Sequence, residues 1–216
     1  MLKIRLLLLL SLLLMLGLPL AAQEEEAPAM YWWNDVVWYQ VFVRSFYDSD
    51  GDGIGDLQGL IAKLDYLNDG DPNTSDDLGI TGIKLMPIMD AVSYHGYDVI
   101  DYRRVHPDFG TNDDFLHLIQ EANKRGIRVV IDLVVNHTST QNEWFVRAAA
   151  GDRAYEDYFK FSVIHPATIG PWGQNVWHFN ETSGQFYYAV FCWNMPDLNY
   201  DNPSVASEMY DIAGFW

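Results

Sequence analysis

Three apolar runs punctuate the first two thirds of the chain: "VVWYQVFVR" (36–44), "ITGIKLM" (80–86) and "IRVVIDLVV" (127–135). Each is rich in β-branched and aromatic residues, the composition of a strand. Between the first two, Leu57, Leu60, Ile61, Leu64 and Leu67 recur at three- and four-residue steps and define one helical face. Between the second and third, Thr111 stands as an N-cap with Asp114 three residues on. Phe115, Leu118, Ile119 and Ala122 share a face, and Gly126 closes the helix. Strand, helix, strand, helix, strand is the pattern of a parallel α/β fold. The nearly unbroken apolar run at 127–135 suits a strand covered on both faces.

The rhythm then breaks. Residues 138–200 are too many for an ordinary strand-to-helix loop and carry short aromatic runs such as "GQFYYAVFCW". They read as an inserted subdomain after the third strand, following a first unit at 23–137. Asn202 caps a further helix with Pro203 at its first position, and residues 201–216 are the start of that element. Val205, Met209, Ile212, Ala213 and Trp216 line one side of it, a face expected to lack a partner. The architecture therefore reads as truncated before a fourth strand.

At the N-terminus, Lys3 and Arg5 precede the apolar run "LLLLLSLLLMLGLPL" (6–20), and "AAQ" (21–23) offers a small-residue cleavage site. Residues 1–22 are read as a signal peptide, so the mature chain is expected to be secreted or periplasmic, without stable membrane insertion. Cys192 is the single cysteine, so no intrachain disulfide is possible. A formal net charge of −17 disfavours nucleic acid as a partner and suits cation binding.

That charge is densest in "DSDGDGIGD" (48–56), with four Asp in nine positions. Hard oxygen donors on a glycine-rich loop suit Ca2+. Asp48, Asp50 and Asp52 fill the first, third and fifth positions, Ile54 offers its carbonyl, and Asp56 adds a carboxylate. The pattern starts like an EF-hand and then departs from it. The twelfth position is Gly59 where an EF-hand needs Glu, and a strand rather than a helix enters the loop. The expectation is a compact calcium loop in a strand-to-helix turn.

Polar residues also follow the strands. "YHGYD" (94–98) comes after the second, and "NH" (136–137) directly after the third. In a parallel α/β barrel, sites are built at the carboxyl ends of strands. His95, Tyr97, Asp98 and His137 are therefore expected to converge there. Asp132 lies within the third strand as an orienting group, and Asn136 at its end could cap the turn.

Four segments in order, "YHGYDVIDY" (94–102), "HPDFGT" (106–111), "DLVVNH" (132–137) and "MPDLNYDNP" (195–203), resemble the alpha-amylase family of glycoside hydrolases. The resemblance covers about residues 31–216. It implies the N-terminal part of a (β/α)8 barrel with a subdomain inserted after the third strand. The acidic loop is similar to the calcium loop of the oligo-1,6-glucosidase-like branch. By the same resemblance His95, Tyr97, Asp98 and His137 hold the sugar before the cleaved bond, and Asp132 is structural beneath it. Asn136 and Asp197 match ligands of a second calcium ion. Lys84 departs from the apolar or aromatic residue usual at its place, and "YRRVHP" (102–107) is more basic than usual.

The resemblance implies an exported hydrolase of α-glucan oligosaccharides or polysaccharides, cleaving with retention through paired carboxylates about 5 Å apart. The nucleophilic Asp and the acid Glu of such enzymes follow later strands, so no catalytic residue is assigned within this chain. The 216-residue chain by itself is expected to be inactive and poorly folded. A non-catalytic glucan-binding protein on the same scaffold is the other reading.

Overall fold

The computed structural model describes residues 31–216; the proposed signal peptide (1–22) and the lead-in to residue 30 lie outside the described residues. Two units separate at Asp35. Of the first, the described part is a 3-10 turn at Trp32–Asp35, with the Tyr31 and Trp33 rings stacked 4.6 Å apart. The second, Val36–Trp216, carries every strand and helix that follows.

Its central sheet has three parallel strands in the order β1 (Trp38–Val41), β2 (Gly82–Leu85) and β5 (Arg128–Ile131). Tyr39, Ile83 and Val129 align across the sheet, as do Val41, Leu85 and Ile131. These six point toward the helices and join one core. Gln40, Lys84 and Val130 form the intervening row, which alternation puts on the opposite face. Lys84 is exposed there, and Val130 and Ile131 are only half-buried, so the third strand is not covered on both faces as its composition suggested.

All three strands are shorter than their apolar runs. The first ends because Val43–Ser45 winds into a 3-10 turn. The expected helix over 56–67 is two short helices, α1 (Leu57–Ala62) and α2 (Leu64–Leu67), joined at Lys63. The break leaves the apolar face intact, since Leu57, Leu60, Leu64 and Leu67 are all fully buried. Helix α3 (Asn112–Lys124) starts with the capping box that Thr111 and Asp114 predict, and Phe115, Leu118 and Ala122 are buried on its inner side.

The long connection after β2 contains an antiparallel hairpin, β3 (Met89–Ala91) and β4 (Val99–Val105). Register shifts on both sides of Asp90 spoil the period-2 pattern that would have revealed it. The basic run at its end is consumed locally. Arg104 pairs with the buried Asp90 across the hairpin, and Arg103 reaches Glu208 at 3.5 Å.

The inserted segment holds α4 (Glu143–Ala149) and a small antiparallel sheet, β6 (Phe161–Ser162), β7 (Trp177–Asn180) and β8 (Gln185–Tyr188), in the order β6–β8–β7. It is not sealed off. A second core joins Phe145, Phe159 and Tyr187 of this segment to Met89 and Val99 of the hairpin. It also takes in Val205, Met209 and Ile212 of α5 (Pro203–Phe215). This corrects the expectation of an unpartnered helix face. Only Ala213 of the predicted five is exposed, and Trp216 packs on Phe115 at 5.3 Å while donating its indole N–H to the Tyr102 carbonyl at 2.7 Å. Among the described residues no helix is long and apolar enough to cross a membrane.

Candidate functional site

The site is built on two chain turns. The first, between β3 and β4, is closed by Asp98. Its carboxylate accepts the Ser93 backbone N–H at 3.0 Å and the Ser93 hydroxyl at 2.5 Å. Gly96 sits in this turn at φ 79°, and a Cβ there would lie 2.9 Å from the Pro87 carbonyl, so only glycine fits. The turn presents His95 and Tyr97 side by side, ring centroids 5.9 Å apart, with the Tyr97 amide donating to His95 Nδ1 at 3.1 Å.

The second turn follows β5. Residues 136–140 pair with 194–198, through Leu198 N–H to Asn136 O, Thr138 N–H to Pro196 O and Thr140 N–H to Asn194 O. This ribbon ties the end of the sheet to the inserted segment. It carries His137 against the first turn, where Nε2 lies 3.1 Å from the Tyr97 carbonyl and therefore bears the proton. It also delivers Asn194, whose amide donates to the other Asp98 oxygen at 3.2 Å.

His95, Tyr97, Asp98 and His137 thus meet at the carboxyl end of the sheet, as expected. Asp132 lies beneath them and accepts the Tyr97 hydroxyl at 3.0 Å. Burial and then the Asp132 carboxylate push the Tyr97 phenol above its usual range, so it stays a neutral donor. Asp98 is fully buried and His137 is 5% exposed. His95 and Tyr97 are half-open to solvent. Imidazole, phenol and carboxylate groups, none of them in an ion pair with Lys or Arg among the described residues, suit a neutral polyhydroxylated ligand.

Sequence reasoning missed Ser93, Asn194 and the ring of Phe191, which packs edge-on to His137 at 5.2 Å. Ser93 was findable, because a Ser five residues before an Asp across a glycine turn is local turn chemistry. Asn194 and Phe191 arrive only through the long-range ribbon.

Burial, the largest influence, holds the His137 imidazole below its ordinary value of 6.5. Between that depressed value and 6.5 the unfolded chain binds more protons, so stability is whole above the unfolded pKa and is lost as pH falls through the folded one. His178 has the same sign for the same cause. The melting temperature is expected to be flat above about pH 7 and to fall below about pH 6. His137→Gln should make that fall shallower; an unchanged slope in the variant contradicts the assignment.

Asn136 and Asp197 are also adjacent, 3.1 Å apart, with the amide donating to the carboxylate. The other Asp197 oxygen accepts the Val190 amide at 2.9 Å, and burial raises its pKa. One half-buried carboxylate already serving two donors is a sparse set for a divalent cation.

The acidic loop differs. Carboxylate oxygens of Asp48, Asp50 and Asp56 lie within 4.8 Å of one another. Asp48 is preorganised by amides, chiefly those of Gly51 and Gly53, which hold its carboxyl below the usual range. Asp56 doubles as the N-cap of α1 through the Gly59 amide at 2.6 Å. Asp52 stands outside this trio, accepting the Ile54 amide at 2.7 Å. Three convergent hard-oxygen donors on turns with glycines at φ 87° and 93° fit Ca2+.

A family model described as "Alpha amylase, catalytic domain" matches residues 40–216. The chain is 47% identical to "Alpha-amylase 3" of Dictyoglomus thermophilum, over 86% of this chain and 34% of that protein. It is 43% identical to an oligo-1,6-glucosidase of Heyndrickxia coagulans, over 86% and 33%. Among solved structures it superposes on an alpha-amylase from H. orenii with a TM-score of 0.78 at 50% identity, over 84% of this chain and 37% of that one. The isomaltulose synthase SmuA of Protaminobacter rubrum gives 0.78 at 40% identity, over 87% and 33%. The chain spans about a third of the length of the curated relatives it matches.

Proposed function

The chain belongs to the alpha-amylase family of glycoside hydrolases, and from that premise we propose that it supplies the sugar-holding part of an exported α-glucan hydrolase. Its three parallel strands and their helices are the first part of a (β/α)8 barrel, with the inserted segment following the third strand. The observation carrying the proposal is the convergence of His95, Tyr97, Asp98 and His137 on one open rim, two of them buried and braced. In this reading His95 and Tyr97 bind one glucose unit by hydrogen bonds and ring stacking, while the fully buried Asp98 braces the turn that presents them. His137 contributes through Nδ1, since Nε2–H is engaged with the Tyr97 carbonyl. Asp132 fixes the Tyr97 phenol.

The complete enzyme would hydrolyse α-glucosidic bonds with retention, its nucleophile and acid/base coming from polypeptide that follows these residues. The test is reducing-sugar release from maltooligosaccharides by the complete polypeptide, with this chain by itself as an inactive comparison. Inactivity of the complete polypeptide on every α-glucan refutes the reading.

The acidic loop belongs to the same proposal as a structural Ca2+ site held by Asp48, Asp50 and Asp56, with Asp52 and the Ile54 carbonyl as further oxygen sources. The ion would tie the turn after β1 to the start of α1. Asn136 and Asp197 are read instead as a hydrogen-bonded clasp. Calcium at a hundredfold excess over its dissociation constant is expected to stabilise the complete polypeptide by about 2.7 kcal/mol. Asp50→Ala, at an exposed position, should remove that gain while barely changing the calcium-free melting temperature. A melt indifferent to calcium in the unsubstituted chain contradicts the site.

A further inference from the structure

A cation stands on the face of the sheet that the helices leave uncovered. Lys84 occupies the middle of β2, in the row that Gln40 and Val130 complete, while its neighbours Ile83 and Leu85 point into the first core. It is exposed there and makes no ion pair among the described residues. The next row toward the carboxyl end sets Asp132 beside Met86, because the Asp132 N–H continues the ladder by donating to the Leu85 carbonyl at 3.0 Å. Asp132 thus follows Val130 by two residues and shares its face. It is the only carboxylate in either row.

Closing the barrel turns this face inward and strips water from the Lys84 ammonium. A buried cation is costly unless a carboxylate pairs with it. Asp132 is placed to do so. Strand spacing and rise put the Cα atoms of Lys84 and Asp132 about 8 Å apart on one face. That gap is within reach of a charge carried on a flexible four-carbon stem. The carboxylate also has an oxygen to spare. Oδ2 accepts the Tyr97 hydroxyl at 3.0 Å, and no donor among the described residues reaches Oδ1.

We propose that Lys84 is a positioning residue whose ammonium pairs with Asp132 Oδ1 in the closed barrel. Lys84, Asp132 and Tyr97 then form one chain of contacts from the barrel interior to the sugar. The pair holds the carboxylate that holds the Tyr97 phenol, and so sets affinity for the sugar without touching it. The sugar half of the inference rests on the proposed function; the ion pair rests on the barrel alone.

The test is a double-mutant cycle in the complete polypeptide, read in melting temperature and in steady-state hydrolysis of maltotriose. Lys84→Met should lower the melting temperature by several degrees, because it leaves Asp132 buried and uncompensated. Adding Asp132→Asn to Lys84→Met should restore most of that loss. Lys84→Arg, which keeps the charge, should retain both the melting temperature and KM. Lys84→Met should raise KM about tenfold, the scale of one hydrogen bond, with kcat within about twofold. In an Asp132→Asn background Lys84→Met should add nothing further to KM. A melting temperature that Lys84→Met leaves unchanged or raises overturns the proposal, as do additive shifts in the cycle. A fall in kcat at unchanged KM overturns the positioning role. If Lys84→Met fails to fold, the double variant should fold, and its failure where Asp132→Asn alone folds also overturns the pair. A polypeptide that hydrolyses no α-glucan sinks the proposed function, while the melting cycle still decides the pair.

Discussion

Asp98→Ala is expected to destabilise the chain by about 3 kcal/mol and to abolish sugar binding. The side chain is fully buried and satisfies three donors: the Ser93 amide, the Ser93 hydroxyl and the Asn194 amide. Removing the acceptor leaves these donors desolvated, at about 1–3 kcal/mol for each that finds no substitute. The damage is not local, because Asn194 belongs to the ribbon that fastens the inserted segment to the end of β5. Asp98→Asn separates the bracing from the charge. Its amide oxygen can still take both Ser93 donors, and Asn194 can turn its own oxygen toward the new amide nitrogen. That variant should lose only about 1 kcal/mol and keep most of its affinity for maltooligosaccharides, since the turn that presents His95 and Tyr97 stays braced. Urea titrations of both variants in the complete polypeptide, paired with sugar titrations, check the result. If Asp98→Ala unfolds at the same urea concentration as the unsubstituted chain, the bracing role is wrong.

Much of this was legible in the chain before any coordinates. The helix at Asn112–Lys124 announced itself, because Thr111, Asp114 and the Phe115–Leu118–Ala122 face are all local signals acting in agreement. The grip residues were legible for a different reason. They lie in the segments that follow the second and third parallel strands, and a parallel sheet gathers such segments at one rim, although His95, Tyr97 and Asp98 reach it through the unforeseen β3–β4 turn. Two kinds of feature stayed hidden. The β3–β4 hairpin has bulges around Asp90, so its buried and exposed residues do not alternate. The partners Asn194 and Phe191 depend on the pairing of 136–140 with 194–198, a contact across some sixty residues that no local pattern encodes. The face of α5 was misjudged likewise. It joins one core with Met89 and Val99 of the hairpin and Tyr187 of the inserted segment, a meeting of distant segments that is a tertiary event.

The acidic loop shows how a local pattern can point to the right chemistry while its exceptions carry structural information. Gly59 occupies the place where a helix-loop-helix calcium site has its bidentate Glu, and the backbone explains why no such residue could stand there. A Cβ on Gly59 would lie 2.0 Å from the Tyr47 carbonyl oxygen and 2.8 Å from its carbon. Gly55 is equally close, with its Cβ 2.1 Å from the Val43 oxygen. The two glycines let the start of α1 lie directly on the chain leaving β1, where Gly55 N–H reaches the Arg44 carbonyl at 2.7 Å and Asp56 N–H the Tyr47 carbonyl at 3.1 Å. The obstacles are backbone atoms, so neither can move aside without parting the helix from the sheet.

Gly59→Glu, the substitution that would complete the calcium pattern on paper, is therefore expected to destabilise the chain by about 4 kcal/mol or more and to weaken calcium binding rather than strengthen it. Gly59→Ala should do nearly the same damage, because the clash begins at Cβ. Gly51→Ala is the counterpart. Gly51 has φ 87° but nothing within 4 Å of its Cβ, so the cost is that of backbone strain alone, about 1–2 kcal/mol. Denaturant midpoints of the three variants with and without calcium decide the matter. The expected order is Gly59→Glu and Gly59→Ala far below Gly51→Ala, with only Gly51→Ala still stabilised by the ion. Should Gly59→Ala melt with the unsubstituted chain, the helix is not seated on the Tyr47 backbone.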